Sequence, residues 1–510
     1  MLDLAGRHIK NIAVIGGGTA GYLTALVLNK ILPDIETTVI ESSKIPIIGV
    51  GEATTPKLLR VLHEVLQIDQ HEFHESVSPT WKLGVRFFWG RSPDSVFNNP
   101  FGLIEPIEAQ TYTGDIDNSS LISQLMCQDK SLVFKNTSSS DPKMLAPRRS
   151  YAYHIDNAPF VKYLRTQIQK SAIKQLDREI VEVNKKGDDV EYLRTDKGEK
   201  LEFDMFIDCS GFHAILSKDK TNSDFISYRS SLFTDRAITG QLRNDGHIKP
   251  YTSAITMDHG WLWNTPLQDE DHLGYVYSSG HCSDDEARDE LIRKIPGLNL
   301  DDRVIRFSSG RQKSFFQGNA VKIGNSYGFI EPLESTGIHM ICAEIIELVR
   351  TLKQGPPTES SIRDLNESIG SQWDMLRWFM TVHFKYNKKA QTPFWQDCNH
   401  HAETSGIQDY IDYFKEYGPI TLKKDSDLYE KMNKDSIFSA FSFDLFMLAQ
   451  NAATVWKYEN YGPEEKTSFI EKAKVNRVIA EKALPSGEAL EAVAEHPDLL
   501  TLKGWFGPTF

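Results

Sequence analysis

Residues 12–21, IAVIGGGTAG, constrain the fold of this chain more than any other stretch. Ile12, Ala13, Val14 and Ile15 form a short apolar run suited to a buried parallel strand. Glycines follow at once, and then an apolar helical stretch over residues 22–32. Gly16, Gly18 and Gly21 fall at the GxGxxG spacing. The first glycine permits a tight turn, the second lets backbone approach a pyrophosphate, and the third allows close helix–strand packing. A second strand, residues 37–40, ends on Glu41, about 20 residues past Gly21, where a Rossmann-type fold carries its ribose-binding acid. Strand, glycines, helix, strand and acid in that order predict a dinucleotide site. The motif by itself leaves FAD and NAD open.

Two later segments bear on that choice. Residues 203–211, FDMFIDCSG, read as a buried strand ending in a small-residue turn, and residues 320–324 precede Asn325 in the same manner. Repeated returns to one nucleotide from distant parts of the chain suit FAD in a large, discontinuous domain, although plain sheet core accounts for either strand taken singly. No second GxGxxG follows a strand, so a separate NAD(P)H domain is not supported.

Composition excludes several partners. The chain has 510 residues and a formal net charge of −13, which argues against nucleic acid or an anionic membrane, since both reward clustered Lys and Arg. Five scattered cysteines without a CxxC pair fit a reduced cytoplasm and give no metal site. The uncharged run after Lys10 resembles a signal peptide or a membrane span. Gly16 to Gly18 interrupt it, and the dinucleotide reading explains the same residues better.

Residues 328–340, GFIEPLESTGIHM, carry the strongest chemical signal. Ser335, Thr336 and Gly337 sit where a helix should start, and its unpaired N–H groups and dipole offer a seat for an anion. Glu334 stands beside that seat as a carboxylate able to take a proton, whereas Glu331 reads as structural. Lys82, in PTWKLGVRF, lies among aromatic and apolar residues, where desolvation favours a neutral amine or a directed hydrogen bond. A lone lysine is more often a solvated surface group. Trp261 and Trp263, two apart on one strand, share a face and could form an apolar wall, or simply belong to the core.

Taken together, GGGTAG, GVGEAT (residues 49–54), the Lys82 segment, Asn99-Pro100-Phe101-Gly102, FIDCSGF, the WxW pair and EPLESTG resemble the flavin-dependent halogenases of the tryptophan-halogenase group. The likeness covers roughly residues 8–350. It departs from the usual pattern at Thr265 in the WxWxIP signature, at Asn99 where a histidine is common, and at His213 after FIDCSGF. The resemblance implies an α/β (α+β) fold. A discontinuous, GR2-like Rossmann-type FAD-binding domain would span residues 1–352, with an inserted antiparallel sheet and a surface insertion near 114–143. A mainly helical module covering the substrate would follow over 353–510.

The resemblance also implies a chemistry. Reduced FAD from a separate flavin reductase, with O₂ and chloride or bromide, would yield hypohalous acid, which reaches Lys82 and halogenates an electron-rich aromatic. Thr336 and Gly337 would hold the halide, and Glu334 would stabilise the cationic intermediate and help remove the ring proton. Gly16, Gly18, Thr19, Ala20, Gly21, Glu41, Gly51, Ile180, Asn325 and Ile338 would contact FAD. Phe101 would face the substrate, and Trp261 and Trp263 would keep substrate from the flavin. An FAD-dependent aromatic hydroxylase using the same cofactor is the alternative, and the tryptophan pair opposes it. Expected partners are the reductase, a small aromatic and further copies of the chain in a dimer or larger oligomer.

The last third reads as helical after a break at residues 353–357. Trp378, Val382 and Tyr386 share one face, with Phe379 and His383 beside them, a stripe more often core than pocket. The chain has no Tyr-Tyr dipeptide of the kind that holds the backbone of free tryptophan in relatives, so an indole, phenol, pyrrole or larger aromatic is expected instead.

Overall fold

Asn11–Ile15 forms the central strand of a six-stranded sheet, and its apolar side chains are buried on both faces, as a parallel strand requires. In the computed structural model, which describes residues 9–45, 51–101, 120–134, 142–144, 151–217, 224–434, 436–456 and 463–500, the strand pairs in parallel with Glu36–Glu41 on one side and Met205–Asp208 on the other. Lys174–Asp177 and Ala320–Lys322 extend the sheet in parallel, and Phe316–Gln317 adds an antiparallel edge. Helix Thr19–Ile31 leaves the first strand through the glycine turn. The strands expected near residues 205 and 321 therefore lie side by side, their paired residues 114 apart in sequence yet adjacent in the sheet.

A second sheet of seven strands runs from Asn299–Arg306 through Arg236–Arg243, Glu270–Tyr277, Gly260–Pro266, Thr252–Met257 and Gly84–Phe88 to Phe97–Pro100. It is antiparallel except where Thr252–Met257 meets Gly84–Phe88. A small sheet, Glu52–Ala53, Ala152–Ile155 and Thr80–Lys82, sits where the chain passes between these two sheets in sequence.

Helix Gly337–Lys353 ends just before residue 354, and helix Glu359–Tyr386 begins after a Thr358–Ser361 capping box. Further helices, Pro393–His401, Gln408–Tyr417, Asp427–Lys434, Ala440–Ala449, Pro463–Glu481 and Ser486–Glu495, follow in the C-terminal part. They share one hydrophobic core with the earlier elements, in which Phe87 and Phe97 meet Phe446 edge-on.

One expectation is corrected. Residues 120–134, within the segment expected as a surface insertion, form helix Leu121–Cys127 and strand Lys130–Phe134, with Leu125, Met126, Leu132 and Val133 fully buried. The strand pairs with Ala483–Pro485, and the Ser131 hydroxyl donates to the Leu484 carbonyl at 2.8 Å. The Ser, Asn and Asp residues of this region concealed the apolar run between them. Residues 114–119 and 135–141 of the same segment, like Gly49, Val50, Gly102, Tyr458 and Tyr461, lie outside the described residues.

Candidate active site

Lys82 ends the strand Thr80–Lys82 and pairs with Ala152, a register that turns its side chain into the interior. It is 0 % exposed. Its Nζ donates to the Thr54 carbonyl at 3.0 Å and to the Ser335 hydroxyl at 2.6 Å, and the Phe101 ring lies 5.2 Å away. Burial pushes the ammonium down to about 7, while the charge of Glu334 pulls it back up. A lysine poised there can donate as an ammonium or react as a free amine at neutral pH.

Ser335 adopts a φ of 58°, a left-handed turn that non-glycine residues rarely enter. The turn sets Glu334 and Ser335 at the mouth of helix Gly337–Lys353, where Thr336 is the N-cap and makes no side-chain capping bond. The helix start anticipated from the sequence is thus in place, and the cap side chain leaves its first-turn N–H groups uncovered. Glu334 is 3 % exposed. Both of its oxygens accept from Asn99 Nδ2, at 3.1 and 3.2 Å, and Oε1 also meets His383 Nε2 at 2.8 Å.

Glu331, read as structural, is fully buried and holds Trp261 of the tryptophan pair. It accepts from Trp261 Nε1 and from the Thr234 hydroxyl, each at 2.6 Å. Burial pushes its carboxyl up to about 7, against those two donors. Trp261 and Trp263 stack obliquely, with ring centroids 6.0 Å apart. Trp263 lies opposite Gly274 on the next strand, where a Cβ would come within 1.9 Å of the indole, so only glycine leaves room for that ring.

The nucleotide end is equally defined. Gly16 has a φ of +120°, and a Cβ there would stand 2.4 Å from the Cys209 carbonyl. A Cβ on Gly21 would stand 1.9 Å from the Gly16 carbonyl, which is the close helix–strand approach the motif requires. On Gly18 and Gly337, by contrast, a Cβ would meet nothing within 4 Å, so backbone at both points is open to a ligand. Glu41 closes its strand and accepts from the Tyr22 hydroxyl at 2.7 Å. Thr19 and Ala20 open the helix, and the Thr19 hydroxyl donates to Asn157 at 3.0 Å. The Gly51 N–H donates to His272 Nδ1 at 2.6 Å. Ile180 begins a strand of the neighbouring three-stranded sheet and packs on the cluster containing Ile15 and Ile40.

A narrow cleft joins Asn325, Gly328 and Phe329 to Thr336, Gly337 and Trp373. The expected halide residues and an expected cofactor residue therefore line one space, with Ile338 buried behind them. Glu344 braces that space by accepting from the Gly324 N–H at 2.7 Å and Trp373 Nε1 at 2.9 Å. Open glycine backbone at Gly18 and an acid, Glu41, closing the second strand suit a dinucleotide. Among the described residues no cluster of His, Cys, Asp or Glu is arranged to hold a metal, and no helix is long and apolar enough to cross a membrane.

The structure brings Lys82, Ser335, Glu334 and Phe101 together, and adds three partners the sequence reading did not assign: Ser335 for Lys82, and Asn99 and His383 for Glu334. A signal for His383 existed, since it stands four residues after Phe379 on an apolar helix face.

The profile of the tryptophan halogenase family matches residues 11–456. Tryptophan 6-halogenase ThaL of Streptomyces albogriseolus is 29% identical over 451 residues, covering 82% of this chain and 84% of its own. Tryptophan 7-halogenase KtzQ of Kutzneria sp. (strain 744) is 30% identical over 82% of this chain and 83% of its own. Among solved structures, MibH, a lathipeptide tryptophan 5-halogenase, superposes with a TM-score of 0.89 at 35% identity, covering 98% of this chain and 96% of its own. BrvH, a flavin-dependent halogenase from Brevundimonas sp. BAL3, superposes with a TM-score of 0.81 at 26% identity, covering 95% of this chain and 99% of its own. With this fold, these glycines and this lysine, the chain belongs to the flavin-dependent tryptophan halogenase family.

Proposed function

We propose that this protein halogenates an electron-rich aromatic carbon, using halide, O₂ and reduced FAD delivered by a separate flavin reductase. The observation that carries the reading is the buried Lys82 ammonium, whose two described hydrogen bonds both go to neutral oxygens, one of them on Ser335, the residue next to Glu334. A fully buried lysine without a carboxylate on its nitrogen is costly, and such cost is retained where chemistry uses it.

FAD, bound and reduced, supplies with O₂ the oxidising equivalent that converts halide to hypohalous acid. Gly16, Gly18, Thr19, Ala20, Gly21, Glu41, Gly51, Ile180, Asn325 and Ile338 would hold it. Thr336 and Gly337 seat the halide on the uncapped helix start. Lys82 takes hypohalous acid by a hydrogen bond to its oxygen and turns the halogen towards the ring. The O–X bond breaks as the C–X bond forms, leaving hydroxide at Lys82. Glu334 then removes the ring proton, the C–H electron pair returns to the ring, and the proton and hydroxide make water. Trp261 and Trp263, fixed by Glu331 and Gly274, keep the aromatic substrate away from the flavin.

An indole is the favoured substrate, since the similar proteins are named for tryptophan halogenation. The absence of a Tyr-Tyr dipeptide and the extent of the likeness to MibH support an indole carried in a larger molecule rather than free tryptophan. The test supplies a flavin reductase, NADH, FAD and bromide to a panel of indoles, tryptophan-containing peptides and phenols. A bromine isotope doublet in product mass spectra supports the reading; hydroxylated product formed without halide contradicts it.

A further inference from the structure

His383 lies on the helix Glu359–Tyr386 and is fully buried. Its Nδ1 is 2.7 Å from the Phe379 carbonyl oxygen and its Nε2 is 2.8 Å from Glu334 Oε1. A carbonyl can only accept, so Nδ1 must carry a proton. The contact at Nε2 then also holds a proton, because an unprotonated nitrogen and a carboxylate oxygen at 2.8 Å would repel. That proton belongs to an imidazolium donating to a carboxylate, or to a carboxylic acid donating to a neutral ring.

The surroundings decide between them. Phe446 lies on the imidazole with centroids 3.7 Å apart, and Phe379 and Phe87 flank it, so the ring faces aromatic surfaces that accommodate a cation. Asn99 Nδ2 donates to both oxygens of Glu334, the arrangement of a carboxylate. Several other titratable groups on the packed elements are engaged elsewhere. Lys82 donates to Thr54 and Ser335, Asp444 accepts from Tyr410 and Thr421, His339 bonds Thr55, and Lys385 and Arg377 turn to Asn399 and Glu403.

We propose that His383 is a positioning residue for the reaction, an imidazolium that keeps the buried Glu334 a carboxylate and turns its Oε2 towards the ring proton. This rests on the reading of Glu334 as the base. Oε1 is occupied by His383 and Asn99, whereas Oε2 keeps, among the described residues, only the Asn99 contact. When the C–H bond of the halogenated carbon breaks, its electron pair returns to the ring and the proton goes to Oε2. The bridging proton stays on Nε2 throughout, so Glu334 accepts one proton and His383 none.

Two measurements test this on the intact enzyme. In ¹⁵N-histidine-labelled protein, the ring signals that vanish in His383→Gln should show both nitrogens protonated at pH 7; an unprotonated Nε2 overturns the proposal whether or not the enzyme halogenates. In the pH profile of bromination, His383→Gln keeps a donor for Oε1 but no charge. Its acid limb should move up by about one pH unit, so that turnover at the pH of the parent's limb falls roughly tenfold and recovers at higher pH, with KM little changed. A profile lowered by one factor at every pH, or one that superimposes on the parent, overturns it. A parent that yields no brominated product defeats the proposed function instead, and the NMR result still judges His383.

Discussion

Lys82 and Ser335 are joined by a hydrogen bond of 2.6 Å between Nζ and Oγ, although 253 residues separate them. That bond ties the small sheet that carries Lys82 to the turn that carries Glu334, and so fixes a basic nitrogen and a carboxylate relative to each other. Ser335 does this from a φ of 58°. A strained turn held at such a point is consistent with a site whose geometry matters more than its local stability.

The bond predicts a specific loss. Ser335→Ala keeps the same backbone demand but removes the acceptor, leaving the buried nitrogen with the Thr54 carbonyl alone. A hydrogen bond to a charged group contributes about 1.5–3 kcal/mol to stability, so the thermal midpoint should fall, and bromination turnover should drop roughly 10- to 100-fold as the lysine loses its orientation. Unchanged turnover under saturating substrate would show that Ser335 does not orient the lysine.

Gly18 and Gly16 separate binding from folding. A Cβ at Gly18 meets nothing within 4 Å, so Gly18→Ala should leave the stability of the flavin-free protein within about 0.5 kcal/mol of the parent and weaken FAD binding. Gly16→Ala forces a Cβ to 2.4 Å from the Cys209 carbonyl at positive φ, and should lower both. Flavin fluorescence titration and thermal melts check the pair; FAD affinity unaffected by Gly18→Ala would remove this loop from the cofactor site.

Glu331 predicts a pH dependence of stability. Its carboxyl is raised from 4.5 to about 7 by burial, so the folded protein keeps a proton that the unfolded chain has lost between those values. Stability is therefore greatest below about 4.5 as far as this group is concerned, and declines as pH rises towards 7 by roughly 1.4 kcal/mol per unit at most. Glu331→Gln can accept from Trp261 and donate to Thr234, preserving both contacts without a titrating group. Its thermal midpoint should fall less steeply than the parent's between pH 5 and 7; equal slopes would mean that Glu331 is ionised in the fold.

Much of this was legible in the sequence, and the limits have physical causes. The glycine turn was readable because its spacing follows from local sterics at Gly16 and Gly21. The helix start at Thr336 was readable because Ser, Thr and Gly cap helices for local reasons. Glu331 reads as structural in the sequence, yet its partners Trp261 and Thr234 come from distant parts of the chain and no spacing reports them. His383 reads as part of the core stripe of Phe379 and Trp378, and only the crossing of its helix over the Glu334 turn gives it a carboxylate partner. The buried strand at 130–134 was obscured because its pairing partner, Ala483–Pro485, lies some 350 residues away.

The most direct measurement compares the parent with Lys82→Met, which keeps the length and apolar stem of the side chain but has no amine. Both proteins receive reduced flavin, O₂, bromide and the best indole of the panel, and flavin oxidation and brominated product are followed together. The account predicts equal rates of flavin oxidation, brominated product from the parent, and a loss of product of roughly 10²-fold or more in the variant. Bromination by Lys82→Met at the parent's rate would contradict it.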